Sequence, residues 1–463
     1  EAFLNDVDWL DNLKLRVSYG EVGNDGINSS LWSQNWEATS DKRYQGAVNG
    51  AFLPSYSLGA DMANKDLKWE TTITRNIGVD FGFFNSRLTG TIDAYWNTTK
   101  DLLMKTAIPG ITGFTSTYAN VGQTSNKGIE IALQGVLVKT RDWNVTAGFN
   151  INFNRGKVDK LADNVTGLYG TEWATSSTFP KSDYVLKEGR PVGLVRGLTA
   201  DGFYTTDDFT YENGVYILKE GVADVSSAVF PNYHLHNGMN ERPAGQLAYP
   251  GMAKFKDLND DGIINDDDVD VIGDMTPVHT GGFNINATYK NFDLGLYFNW
   301  SYGNEIYNVN KLAALYGYKE GAVYENKLSI VKDCYKIYDV VNGELVALTT
   351  PEQLNAANAN AKLPLAYSEN GYVSTLGIED GSYLRLNTLT LGYTLPKSML
   401  QKAGISNLRV YGSIYNVFTI TGYSGIDAEV STSTSTKTYP QLGMDWGTYP
   451  RARSFVLGVN LSF

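Results

Sequence analysis

From Trp143 to Asn154 apolar and polar residues alternate without a break. Trp143, Val145, Ala147, Phe149, Ile151 and Phe153 share one parity, and Asn144, Thr146, Gly148, Asn150, Asn152 and Asn154 the other. A strand points successive side chains to opposite faces, so this segment has one greasy face and one amide-rich face. No soluble core needs so regular a polar face. The alternation recurs at Leu13–Tyr19, Ile77–Phe83, Leu88–Trp96, Ile129–Leu133, Phe283–Tyr289, Phe292–Trp300, Leu384–Leu395, Leu408–Phe418 and Ser454–Phe463. The last of these puts Phe455, Leu457, Val459, Leu461 and Phe463 on one face. It is about the length that crosses a bilayer as a tilted strand, and it ends on an aromatic residue, as outer-membrane barrels commonly do.

The connections then sort by parity. Those near 85–86, 139–142, 290–291 and 396–407 are short, and those near 20–70, 98–126, 155–280, 302–381 and 419–452 are long. Short and long alternate, so every long connection is expected at one end of the strands. Bacterial barrels have short periplasmic turns and long extracellular loops. The expected fold is all-β, a transmembrane antiparallel β-barrel of about 10–12 strands in this chain, with long extracellular loops. Residues 155–280 form the largest expected extracellular loop region. Within the loops, Pro351–Ala361 reads as a short helix, and Pro396–Gly404 as a helical turn with Gly404 as its stop.

Composition narrows the picture. The chain has 463 residues with a formal charge of −12, which argues against nucleic acid as a partner. It holds 30 Tyr, 47 Gly and 9 Trp, with only 19% charged residues, a composition that suits many-stranded barrels with aromatic girdles. No apolar run is long enough for a transmembrane helix. Cys334 is the single cysteine, which excludes an intrachain disulfide and reads as a buried or loop thiol. Glu1–Leu10 has neither a basic start nor an apolar core, so it is not a signal peptide. The expectation is that the export segment has been removed or that the chain is a piece of something longer.

One motif carries recognisable ligand chemistry. Asp257, Asn259 and Asp261 occupy positions 1, 3 and 5 of a twelve-residue loop. Gly262 stands at the sharp turn, Ile263 offers its carbonyl at 7, and Asn265 and Asp268 stand at 9 and 12. This is the spacing of hard oxygen ligands for Ca²⁺, with Asp in place of the usual Glu at 12. The alternative is an acidic turn with no ion. His234 and His236 lack further ligands at metal spacing and read as solvated loop residues. Asp207-Asp208 and Asp266-Asp267 sit in acidic loops, and nothing sets two carboxylates across a substrate as glycosidase chemistry requires. No nucleophile elbow, phosphate loop or zinc signature is present, so no enzyme is expected. Loop aromatics are the candidate cargo contacts: Trp32, Trp36, Tyr44, Trp173 and Tyr204. Flat rings stack on sugar faces and keep a polar tip, although each of these can equally pack one loop against another.

Five stretches together carry a family resemblance. They are Leu13–Asn24, Gly273–Phe283, Phe292–Asn304, Gly381–Tyr393 and Leu408–Glu429. In order and content they resemble the SusC/RagA-type TonB-dependent transporters of the Bacteroidota outer membrane. The resemblance covers nearly the whole chain. It implies a cell outer-membrane barrel of about 22 strands, plugged by an amino-terminal domain and driven by TonB. It also implies a SusD-like surface lipoprotein as a lid, and glycan or oligopeptide as cargo. Ten or so strands are fewer than that barrel needs, so residues 1–463 are expected to be its carboxy-terminal part. Open strand edges in lipid are prohibitive, and the chain is expected to pair with the missing strands. The competing functions are a passive porin, an adhesin barrel, and a soluble β-rich carbohydrate-binding protein.

Overall fold

The computed structural model describes all residues except 1–6, 27–28, 35, 40–45, 50, 54, 60, 163–164, 176–177, 231–241, 316–326, 367–370, 402–403 and 432–440. The chain divides into two compact units. One comprises residues 1–168, 187–191 and 283–289, and the other residues 169–186, 192–282 and 290–463.

The alternating segments form ten long strands: β1 Leu10–Asn24, β2 Glu70–Phe83, β3 Leu88–Ala107, β4 Ser116–Lys139, β5 Trp143–Lys160, β6 His279–Tyr289, β7 Phe292–Tyr302, β8 Tyr383–Thr394, β9 Asn407–Thr421 and β10 Ser454–Ser462. In the first unit β1, β2, β3, β4 and β5 pair in chain order, each antiparallel to the next. β6 follows β5, tied by Gly148 N–H donating to Asn284 Oδ1 at 2.7 Å. In the second unit β7, β8, β9 and β10 make the same up-and-down ladder.

Several strands are longer than their alternation suggested. Residues 98–126, expected as a long loop, are mostly strand. β3 and β4 stay paired from Leu102↔Gly122 to Ala107↔Ser116, leaving only residues 108–115 as the turn. The 24 residues of β4 reach about 80 Å at roughly 3.3 Å per residue. A membrane crossing needs about 9–11, so this hairpin continues well beyond the bilayer. Asp61, paired with Lys105 at 2.8 Å, braces it. β5 likewise runs to Lys160, so the largest connection is 161–278 rather than 155–280.

The polar faces of both ladders use one device. Arg16 on β1 stands opposite Gly78 on β2, which stands opposite Asp93 on β3. Arg16 reaches across the glycine to Asp93 at 2.8 Å and also bonds Asp80 at 3.0 Å. A Cβ on residue 78 would lie 2.3 Å from the Asp93 carboxylate, so the bridge exists only over glycine. In the second unit Arg409 on β9 crosses Gly392 on β8 to reach Asp293 on β7, at 2.9 Å from Nε. Three strands are thereby locked in register on a face that alternation had marked only as polar.

The long segments of the second unit are not loose loops. Residues from 179–255 and 335–372 share one aromatic-rich core that includes Tyr204, Phe209, Tyr216, Phe230, Tyr249, Phe255 and Tyr372. A smaller core gathers Tyr184, Val195, Met275, Tyr307 and Met444. The loop helix appears as α2, Pro351–Asn358, after α1, Val309–Leu315. Thr350 Oγ1 caps α2 by accepting from Gln353 N–H, and Pro at the first turn leaves no orphan donor. The expected turn near Pro396 is α3, Lys397–Leu400, and Gly404 has φ 68°.

Candidate functional site

Two surfaces stand out: the apolar belt of the strands and the packed outer segments. The belt follows directly from strand parity. Leu15, Val17 and Ile77 are exposed in the first unit, and Phe455, Leu457 and Val459 in the second, with Leu457 at 90%. Exposure on this scale in a continuous apolar face is stable only against lipid. Aromatic side chains mark the short-turn edge. Trp9 meets Phe83 at 5.4 Å and Trp143 meets Tyr289 at 4.4 Å in the first unit. In the second, Phe292 meets Tyr393 at 4.7 Å. Such rings favour the headgroup level, with an apolar body and a wet edge.

The outer segments are tied to the second ladder by buried polar anchors. Arg385 on β8 is 3% exposed and pairs with Asp427 and, at 3.2 Å, with Glu429. Arg451 adds a contact of 3.0 Å to Glu429. A few residues earlier, Ser424 donates both its N–H and its hydroxyl to Glu379 at 2.9 Å, and Lys311 lies 3.1 Å from the same carboxylate. Burial alone raises the Glu379 pKa, but the Ser424 donors and Lys311 outweigh it and hold the group below the usual carboxylate range. Tyr423 donates to the buried Asp445 at 2.7 Å. Asp183, also fully buried, accepts from the amides of Glu172, Trp173 and Ala174. Its pKa is raised, because desolvation outweighs those amides.

The acidic loop has a defined shape. Asp257 accepts from Asp261 N–H at 3.3 Å and Gly262 N–H at 2.7 Å, and Asp261 accepts from Ile263 N–H at 2.9 Å. Asp260 and Gly262 take φ of 58° and 83°, so Gly262 stands in the left-handed region that a sharp turn demands. Asp268, fully buried, accepts from Leu258 N–H and Asn265 N–H, which ties the end of the loop to its beginning. Ile263-Ile264 pairs with Asp224-Val225 and fixes the loop to the outer core. Asn259 turns toward Asp261, and Asn265 caps the closing turn. Among the described residues no three His, Cys, Asp or Glu side chains form a metal cluster on their own. The loop carries Asn and carbonyl oxygens as well as Asp, the donor type that hard cations take.

The candidate aromatics separate. Trp32 and Trp36 are exposed, at 58% and 67%. Tyr44, like His234 and His236, lies outside the described residues. Trp173 is half-buried against Tyr307 in the smaller core. Tyr204 is fully buried and donates to Ala223 O at 2.6 Å. It is a core residue, and its ring face is not available to cargo. Asp208 pairs with Lys254 at 2.8 Å and caps the turn at Thr205, a structural role. Cys334 is buried, and burial pushes its thiol up to about 11. Sequence reasoning missed Arg385 and its acidic partners. Asp427 and Glu429 lie 42 and 44 residues beyond Arg385, so no local signal marked the pair.

A girdled apolar belt and an opposed polar face on antiparallel strands define an outer-membrane β-barrel. The chain belongs to the TonB dependent receptor-like β-barrel family, whose model matches residues 6–417. It is 30% identical over its full length to TonB-dependent receptor P3 of Formosa agariphila, covering 40% of that protein. It is 29% identical to TonB-dependent receptor SusC of Bacteroides thetaiotaomicron, covering all of this chain and 39% of SusC. The chain thus spans about two fifths of the length of these curated relatives. All of it superposes on 42% of a chain of the RagAB peptide importer in the closed-closed state, with TM-score 0.70 and 24% identity. That likeness is one of fold.

Proposed function

We propose that this chain is the barrel part of a TonB-dependent importer of glycans or oligopeptides, working with a SusD-like surface lipoprotein. The observation that carries the reading is the packed outer layer. A passive porin needs an open mouth, whereas here the external segments form an aromatic core held to the ladder by buried charge. Such a layer is a platform for a lid and for cargo. In the first unit, Trp32 and Trp36 are exposed rings suited to cargo contact. The test uses the whole transporter in its own cells. Uptake of labelled oligosaccharide and of labelled oligopeptide is measured with and without TonB, and the transporter is purified to identify co-purifying lipoprotein. Energy-dependent uptake of one cargo class supports the proposal. Uptake that persists without TonB, or no uptake of either class, overturns it in favour of a porin or adhesin.

We also infer that the loop from Asp257 to Asp268 binds Ca²⁺ in a structural role. Asp257, Asn259, Asp261, the Ile263 carbonyl, Asn265 and Asp268 would hold it. Full ligation leaves no open position for chemistry. Proteolysis of the outer layer should speed up in chelator and in the Asp257→Ala/Asp261→Ala double variant. Equal proteolysis in calcium and in chelator overturns the site.

A further inference from the structure

We propose that the hairpin Tyr338–Ala347 captures an extended oligopeptide of alternating apolar and basic residues, which adds to it as a third, antiparallel strand. This names one cargo class for the importer read above and rests on that reading. The hairpin lies wholly in the second unit. Its strands, Tyr338–Val341 and Glu344–Ala347, join through Asn342-Gly343. Both turn residues have positive φ, 53° and 85°, the type I′ geometry that a two-residue hairpin favours. Such a turn makes Val341 and Glu344 a hydrogen-bonded pair. Val340 and Leu345 pair next, and their backbone N–H and C=O groups point away from each other. Asp339 and Val346 point theirs inward, and Tyr338 and Ala347 outward again. Leu348 N–H donating to Ile337 O at 2.9 Å continues this order.

The two outer edges of the hairpin differ. On the first strand, Val340 N–H donates to Asp339 Oδ1 at 2.9 Å, which closes that edge. On the second, Leu345 and Ala347 face outward, and among the described residues no further strand pairs with this edge. An open edge is a template for another chain, and proteins normally blunt it; here one edge is blunted and the other is not. The two faces complete the recognition. Val340 and Leu345 share one face at 65% and 68% exposure, and that face runs back through Tyr338, which packs on the aromatic core. Asp339 and Glu344 share the other face, both exposed, and the hairpin holds no cation. In an antiparallel strand added at this edge, the residue opposite Leu345 exchanges both backbone bonds with it. That residue lies on the apolar face and its neighbours lie on the acidic face. A peptide of alternating apolar and basic residues therefore satisfies backbone, apolar surface and charge together. A glycan offers no amide row at the two-residue repeat of about 7 Å.

The test uses the transporter purified from outer membranes as its native assembly. Binding of a labelled octapeptide of alternating Val and Lys is followed by fluorescence anisotropy. Leu345→Pro removes only an outward amide, and proline is tolerated where an edge N–H faces solvent. It should weaken binding about tenfold. Leu345→Val, which keeps the amide, should bind like wild type. A second arm uses the wild-type transporter and needs no variant to fold. N-methylation of the peptide's Val amides, which face the hairpin, should weaken binding by more than about tenfold, and N-methylation of its Lys amides should not. Unchanged binding in Leu345→Pro, or equal losses from the two methylated peptides, overturns the proposal. So does binding of a Val-Glu octapeptide as tight as that of the Val-Lys one, or displacement of the peptide by maltoheptaose. A dimer of the assembly that Leu345→Pro dissolves overturns it in favour of pairing between two copies of the hairpin. Binding with the expected amide dependence, in cells that show no TonB-driven uptake, supports the peptide site and overturns the importer reading alone.

Discussion

Replacing Arg385 with Met should release the segment Tyr423–Glu429 from the ladder while the strands stay paired. Arg385 is 3% exposed and Asp427 8%, so the ion pair between them is fully desolvated. Removing one partner of a buried pair leaves the other charge uncompensated, a loss of about 3–5 kcal/mol. Arg451 remains 3.0 Å from Glu429 and 3.8 Å from Asp427, and it is half exposed. It compensates part of the loss and places the expected value near the lower end, about 3 kcal/mol. A local opening eased by that amount should speed amide hydrogen exchange of this segment by about a hundredfold. The assay is exchange followed by peptide mass analysis on folded protein, with β8 and β9 peptides as internal controls. Asp427→Leu in the Arg385→Met background should restore much of the protection, because a buried carboxylate without a partner costs more than an apolar replacement. Exchange within about threefold of wild type, or strictly additive effects in the double variant, would refute the reasoning.

Three further outcomes follow from the same geometry. Leu457→Arg places a charge on the lipid face and should lower assembly by about 2–4 kcal/mol, read as lost heat-modifiable species on unboiled gels; Asn150→Lys, on the opposite parity, should leave it intact. Tyr204→Ala should destabilise the outer core by about 3–5 kcal/mol and speed its proteolysis, whereas Trp36→Ala should leave proteolysis unchanged and weaken cargo capture. The Glu379 pKa is depressed in the folded state, so its contribution is complete above the unfolded carboxylate value of about 4.3 and is lost as pH falls through the folded value below it; exchange at Ser424 should therefore be constant from pH 7 to about 5 once corrected for intrinsic rates, and rise on further acidification, which Glu379→Gln should abolish.

Alternation along the chain determined the ten long strands and their apolar face, because a period of two leaves one register that buries nothing polar in lipid. The spacing of Asp257 to Asp268 likewise set a tight acidic loop, since its turn requires Gly262 and its carboxylates accept from the loop's own amides. The tertiary structure alone decided the rest. Residues 98–126 look like loop because they leave the lipid belt and lose alternation, yet backbone pairing continues wherever a partner strand is present. Tyr204 and Trp36 are both loop aromatics in sequence. One fills a core between segments 179–255 and 335–372, and the other stays in solvent, a difference set by packing between distant residues. Arg385 and its acids lie 42 and 44 residues apart, so no local pattern announces the pair. The pair forms because the fold removes both charges from water at one point, where each is stable only against the other.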